Sequence, residues 1–146
     1  MKKMLLLLLI VATTIANAQK SEIFTSKSGA IDGYDPVAYF TENKPVKGNP
    51  EFMYNWKTAN WYFATAQNMA EFKANPEKYA PQYGGYCAYG TSAGHKAPTT
   101  PEAFTIVNEK LYLNYNENVM SMWRKDQAAL IEKADVNWPK IKAEKE

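Results

Sequence analysis

The sequence predicts an α+β fold: a small single domain whose short antiparallel hairpins pack against helices, closing with a C-terminal helix or broken helix pair. Three observations carry this. Phe52, Tyr54 and Trp56 alternate with less apolar positions and return after a short turn as Trp61-Tyr62-Phe63, the period-two pattern of a half-buried hairpin. Phe104 to Val107 and Leu111 to Leu113 repeat that arrangement around Asn108-Glu109-Lys110. Segments of helical spacing begin at Thr65 and at Asn116, residues whose side-chain oxygens satisfy the free N–H groups of a first helical turn.

The chain opens with Lys2 and Lys3, an apolar run from Met4 to Ala12, and Ala16-Asn17-Ala18, the three parts of a secretory signal peptide. Cleavage after Ala18 is expected, and the run is shorter than the roughly 20 apolar residues that span a bilayer. A periplasmic or secreted protein follows, with no membrane contact after cleavage. Removing 18 of 146 residues leaves 128, enough for one packed domain. Of 17 basic residues two are in the leader, so the remainder balances the 15 acidic ones. That neutrality, with no long basic run, argues against nucleic acid as a partner.

Residues 19–30 are small and polar and read as a flexible lead-in to a domain over 31–139. Ile31-Asp32-Gly33-Tyr34-Asp35-Pro36 clusters turn-forming residues, with Asp35 placed to accept backbone bonds, and Val37 to Phe40 is expected to extend. The loop Asn43 to Pro50 leads into the first hairpin, whose turn is expected at Thr58-Ala59-Asn60. A helix over Ala66 to Ala74 then ends at Asn75, and Pro76 opens a short second helix through Tyr79 before Pro81. Thr91 to Pro101 reads as a loop. The C-terminal helical stretch from Asn116 should break near Asp126, Trp138-Pro139 should close the packed region, and 140–146 should be a charged, solvated tail.

Cys87 is the single cysteine, so no internal disulfide is possible and the core must hold the fold. Four tryptophans, ten tyrosines and six phenylalanines supply the large buried areas such a core needs. Cys87 lies in Tyr83-Gly84-Gly85-Tyr86-Cys87-Ala88-Tyr89, where glycines permit close approach and tyrosines frame the thiol. If extended, Cys87 and Tyr89 share one face. Tyr83, Tyr86, Cys87 and Tyr89 are thus candidates to line a cofactor or small-ligand pocket beside Tyr34 and Tyr39, with Asp32 or Asp35 as hydroxyl partners. Cys87 and His95 are the candidate metal ligands, and no residue is assigned a catalytic role. Free cysteine is also an ordinary core residue, and His95 sits in a Gly-His-Lys loop that suits the surface.

Asp35-Pro36-Val37, Trp61-Tyr62-Phe63 and Phe72-Lys73-Ala74-Asn75-Pro76-Glu77-Lys78-Tyr79, in this order, resemble the YHS domain family over about residues 31 to 80. The surrounding chain looks like the family's exported, stand-alone members. The resemblance implies a β-hairpin packed against helices. It also implies that metal-binding relatives carry cysteine after the Asp-Pro-Val triplet, after the Tyr-Phe pair, and four residues further on. Here those places hold Ala38, Ala64 and Asn68, none of which supplies a thiolate.

Three functional readings remain open. The first is an exported, non-enzymatic binding module taking a transition metal, a metal-containing cofactor or a small ligand near Cys87, with copper as the metal that best suits a thiolate. The second is a structural domain with an inert, buried cysteine that meets another exported protein. The third is a thiol redox enzyme using Cys87 with His95 as base, which lacks an internal resolving thiol. In that comparison Cys87 is expected at a pocket wall and His95 on a solvent-facing loop.

Overall fold

A computed structural model describes residues 21–144 of the chain, so the leader-like segment 1–18 lies outside the described residues. The described chain is α+β, with three two-stranded antiparallel sheets and six α-helices. Among the described residues no helix is long and apolar enough to cross a membrane. The elements run β1 (Thr25–Ser26), β2 (Gly29–Ala30), α1 (Pro36–Glu42), β3 (Asn49–Trp56), β4 (Ala59–Phe63), α2 (Ala66–Ala74) and α3 (Pro76–Tyr79). There follow α4 (Ala88–Ser92), β5 (Phe104–Val107), β6 (Lys110–Leu113), α5 (Glu117–Arg124) and α6 (Gln127–Ile141). Strand β1 pairs with β2, β3 with β4, and β5 with β6.

The β3–β4 hairpin and the two helices after it form as the alternation and caps predict. Trp56 pairs with Ala59, so the turn is Lys57-Thr58, one residue earlier than expected, and both residues take positive φ. Thr65 caps α2 by accepting the Asn68 N–H, and Pro76 opens α3. Phe72 from α2 is fully buried, its ring 5.1 Å from Trp61, 5.2 Å from Phe63 and 5.6 Å from Trp56. Burying one such ring stabilises the fold by about 1.5–3 kcal/mol. The second hairpin also forms as predicted, and Asn116 caps α5 by accepting the Val119 N–H.

Four expectations are corrected. Val37 to Phe40 is helical, because the Asp35 carboxylate accepts the Val37 and Ala38 N–H groups and Pro36 fills the first helical position. Tyr86 to Tyr89 is not a strand: Cys87 is the N-cap of α4, and its carbonyl accepts the Thr91 N–H at 2.9 Å. The lead-in is packed from Ser21 onward, with Ile23 and Ala30 buried and the Phe24 N–H donating to the Gly84 carbonyl at 2.8 Å. Helix α6 continues past Pro139 to a buried Ile141, although Pro139 has no N–H to give the Asp135 carbonyl one turn back.

The apolar residues fall into two clusters. The larger gathers Val37, Tyr39, Trp61, Phe63, Phe72, Leu111 and Leu113 under the first hairpin, α1 and α2. The smaller gathers Tyr83, Ala88, Tyr112, Trp123 and Ala134 between β6, α5 and α6. The chain crosses from one to the other through Pro81 to Cys87, which places that stretch at the seam.

Candidate functional site

The crossing is tight. Tyr83 and Gly84 both take positive φ, 58° and 62°. A Cβ on Gly84 would stand 1.8 Å from the Glu22 carbonyl oxygen, so only glycine lets the 21–24 segment lie against it. Tyr83 bears a backbone cost that glycine does not, as do seven other described non-glycine residues at positive φ. Its hydroxyl donates to Asp135 Oδ1 at 2.8 Å, and its ring packs 5.9 Å from Tyr112 and 6.2 Å from Trp138. Burial first, then the hydrogen bond and charge of Asp135, hold its phenol well above the usual tyrosine range. At pH 7 it is a neutral donor.

Beside Tyr83 a cleft of about 340 Å³ opens along the seam, within the size range of small-molecule sites. Trp56 and Trp138, both half-buried, supply aromatic wall from the two clusters. Asp135 and Lys110 line it, and Lys57 stands between Glu22 at 3.1 Å and Glu77 at 3.8 Å while its ammonium lies 4.8 Å from the Trp56 ring centroid. Sequence reasoning missed Trp56, Lys57, Lys110, Asp135 and Trp138 as site residues. They come from three segments, the first hairpin, β6 and α6, and no local pattern announces that they meet.

The other predicted residues disperse. Tyr86 is buried, donates its hydroxyl to the Ser21 carbonyl at 3.0 Å, and stacks between Phe24 and Trp138, with burial raising its pKa. Tyr89 is half-buried against the smaller cluster. Tyr39 is in the larger core with its hydroxyl on the Pro101 carbonyl at 2.9 Å, so neither Asp32 nor Asp35 is the hydroxyl partner of Tyr39, Tyr83 or Tyr86. Of the four proposed cofactor residues, Tyr83 alone lines the seam cleft.

Cys87 is 2% exposed and does not line the clefts at the seam, near Lys47 or beside Val136. Its sulfur accepts the N–H groups of Gly90 at 3.5 Å and Tyr115 at 3.3 Å, and its S–H points at Asn114 Oδ1, 3.5 Å away. Asn114, fully buried, also accepts the Tyr89 N–H at 3.0 Å and ties the thiol to the end of β6. This polar partner, 27 residues along the chain, had no sequence signal. His95 is exposed, its backbone N–H bonds the Gly90 carbonyl at 3.0 Å, and its imidazole shares no hydrogen bond with Cys87. Among the described residues no group of three or more His, Cys, Asp or Glu side chains is placed to hold a metal ion.

A second polar centre lies across the larger core. Asp35, fully buried, accepts the Val37 N–H at 2.8 Å and the Ala38 N–H at 3.3 Å on Oδ1. On Oδ2 it accepts the Ala64 N–H at 2.8 Å and Asn68 Nδ2 at 2.7 Å. This joins the start of α1, the end of β4 and the first turn of α2 in the order Asp-Pro-Val, Trp-Tyr-Phe, helix.

Residues 37–83 match the YHS domain. No curated protein and no solved structure matches the chain. The YHS segment thus contains the first hairpin, α2, α3 and Tyr83, whereas Cys87, Asn114, Asp135 and Trp138 lie beyond it. The YHS family is associated with metal binding, and the side chains here do not fit a metal of the thiolate type. Ala38 and Ala64 offer methyl groups, Asn68 turns its amide N–H₂ to Asp35, and both Asp35 oxygens are taken.

Proposed function

We propose that the protein is an exported, non-enzymatic binding module whose small-ligand site is the seam cleft beside Tyr83. The observation that carries the reading is Tyr83 itself, held at positive φ with its hydroxyl fixed on Asp135 at the wall of a cleft faced by two half-buried tryptophans. Aromatic faces set among the charged side chains of Glu22, Lys57, Glu77, Lys110 and Asp135 suit a ligand with one flat face and several polar or charged substituents. The leader-like N-terminus supports export. Cys87 fits a packing role, since its sulfur already meets Gly90, Tyr115 and Asn114. A copper ion or other metal held by Cys87 and His95 gains no support from this geometry, because one residue is buried and the other lies on the surface.

Saturation-transfer NMR with tryptamine, indole-3-acetate and glucose tests the site with cationic, anionic and neutral probes. The reading expects at least one probe to receive saturation from the native protein and to lose it in Asp135→Ala and in Trp138→Leu. Transfer to none of the three, or transfer that survives both substitutions, contradicts it.

A further inference from the structure

We infer that the seam cleft takes a zwitterion, an α-amino acid with a flat apolar side chain, whose ammonium meets Asp135 and whose carboxylate meets Lys110. The inference rests on the seam cleft being the small-ligand site and adds the chemistry that site selects. Five charged side chains line the cleft: Glu22, Lys57, Glu77, Lys110 and Asp135. Three of them satisfy one another. The Lys57 ammonium stands 3.1 Å from Glu22 and 3.8 Å from Glu77, with the Trp56 ring centroid 4.8 Å away. Its charge is thus shared between two carboxylates and an indole before any ligand arrives.

The other two are left over, and they differ in sign. Asp135 accepts the Tyr83 hydroxyl on Oδ1 at 2.8 Å, which holds the carboxylate at the wall. Among the described residues Asp135 Oδ2 accepts from no donor, and the Lys110 ammonium makes neither a hydrogen bond nor an ion pair, with Asp135 or with any other carboxylate. Two opposite charges that line one cleft without closing on each other suit a ligand that carries both. Asp135 and Trp138 are three residues apart on α6, so the carboxylate and an indole share one face of that helix. Trp56 supplies the second ring from the first hairpin, and the two rings suit a flat apolar side chain. Three carboxylates against two ammonium groups leave the lining with one net negative charge. The preference therefore runs from zwitterion to cation to anion, and a neutral sugar leaves both unpaired charges unmatched.

The test compares dissociation constants, from ¹⁵N shift titration of the full chain at low salt, for three molecules. L-Tryptophan carries both charges, tryptamine lacks the carboxylate, and indole-3-propionate lacks the ammonium. Partly exposed charges attract weakly, so tryptophan should bind about threefold or more tighter than tryptamine, and tryptamine tighter than indole-3-propionate. Lys110→Gln should remove the advantage of tryptophan over tryptamine. Asp135→Asn, whose amide oxygen still accepts from Tyr83, should weaken tryptophan and tryptamine and leave indole-3-propionate no weaker. Tryptamine shifting the seam while tryptophan binds no tighter overturns the zwitterion and leaves the seam site standing; binding by none of the three overturns both. A variant that weakens all three probes alike overturns the role given to that charge. If Asp135→Asn does not fold, Lys110→Gln, at the exposed start of β6, decides.

Discussion

The thiol of Cys87 should be nearly inert while the protein is folded. The perturbation is a thiol reagent, dithionitrobenzoate, applied to native protein and to protein in denaturant. At 2% exposure the sulfur has no direct access for a reagent of that size. Its contacts come from the first turn of α4, the residue after Asn114, and Asn114 itself, and the Cys87 N–H is tied to the Ala97 carbonyl at 2.9 Å. Baring the sulfur therefore means detaching α4 from the end of β6, which disrupts the smaller core. If that opening costs about 5 kcal/mol, the low end of domain stability, labelling slows by roughly three and a half orders of magnitude. The absorbance of released thionitrobenzoate follows both reactions. The expected native rate is at least about a thousandfold below the unfolded rate, in the regime where the open population limits reaction. A native rate within tenfold of the unfolded one refutes the packing role of Cys87 and returns it to the candidate site.

Two further outcomes follow from the same geometry. Burial, together with Glu102 for Tyr39 and Asp135 for Tyr83, raises both phenol pKa values in the folded state. The unfolded chain ionises them near pH 10, so the stability they contribute is full below that pH and declines above it by up to about 1.4 kcal/mol per pH unit for each tyrosine. Urea midpoints measured from pH 8 to 11 should fall above about 10, and the fall should be shallower in Tyr83→Phe; an equal slope in that variant contradicts the assignment. Gly84→Ala combines a left-handed backbone with a clash against the Glu22 carbonyl, and should lower stability by about 2 kcal/mol or more in urea denaturation. A loss under about 0.5 kcal/mol, the range of a neutral surface change, would show that the 21–24 segment does not lie where it is placed here.

What was legible in the sequence was local. Thr65, Pro76 and Asn116 fix helix starts within three or four residues of themselves, and Trp56 and Trp61 belong to one hairpin, so period and caps suffice. Asp35-Pro36 carried a helix signal that the apolar run Val37 to Phe40 obscured, because a fully buried helix turn and a buried strand share the same composition. Tyr86 to Tyr89 alternates like a strand, yet the Gly90 and Thr91 N–H groups donate to the Cys87 sulfur and carbonyl while the Cys87 N–H donates to the Ala97 carbonyl, which starts a helix instead.

The site was less legible, since its residues meet only through tertiary packing. The glycines beside Tyr83 mark it in the sequence, and in the fold it lines the seam cleft. Its partners Asp135, Trp138 and Trp56 lie 52, 55 and 27 residues away in sequence, on helix α6 and the tip of the first hairpin. Cys87 drew attention because it is chemically singular, whereas its surroundings are those of a core residue. The convergence on Asp35 could be read only as three absent cysteines until the fold placed Ala38, Ala64 and Asn68 around one carboxylate.

The central claim is that ligand binds at the seam and not at the thiol, and amide chemical-shift mapping separates the two directly. With ¹⁵N-labelled protein titrated by whichever indole or sugar probe receives saturation, the largest saturable shifts should fall on Lys57, Tyr83, Gly84 and Asp135. Shifts centred instead on Cys87, Gly90, His95 and Tyr115, with the seam unmoved, would contradict the account.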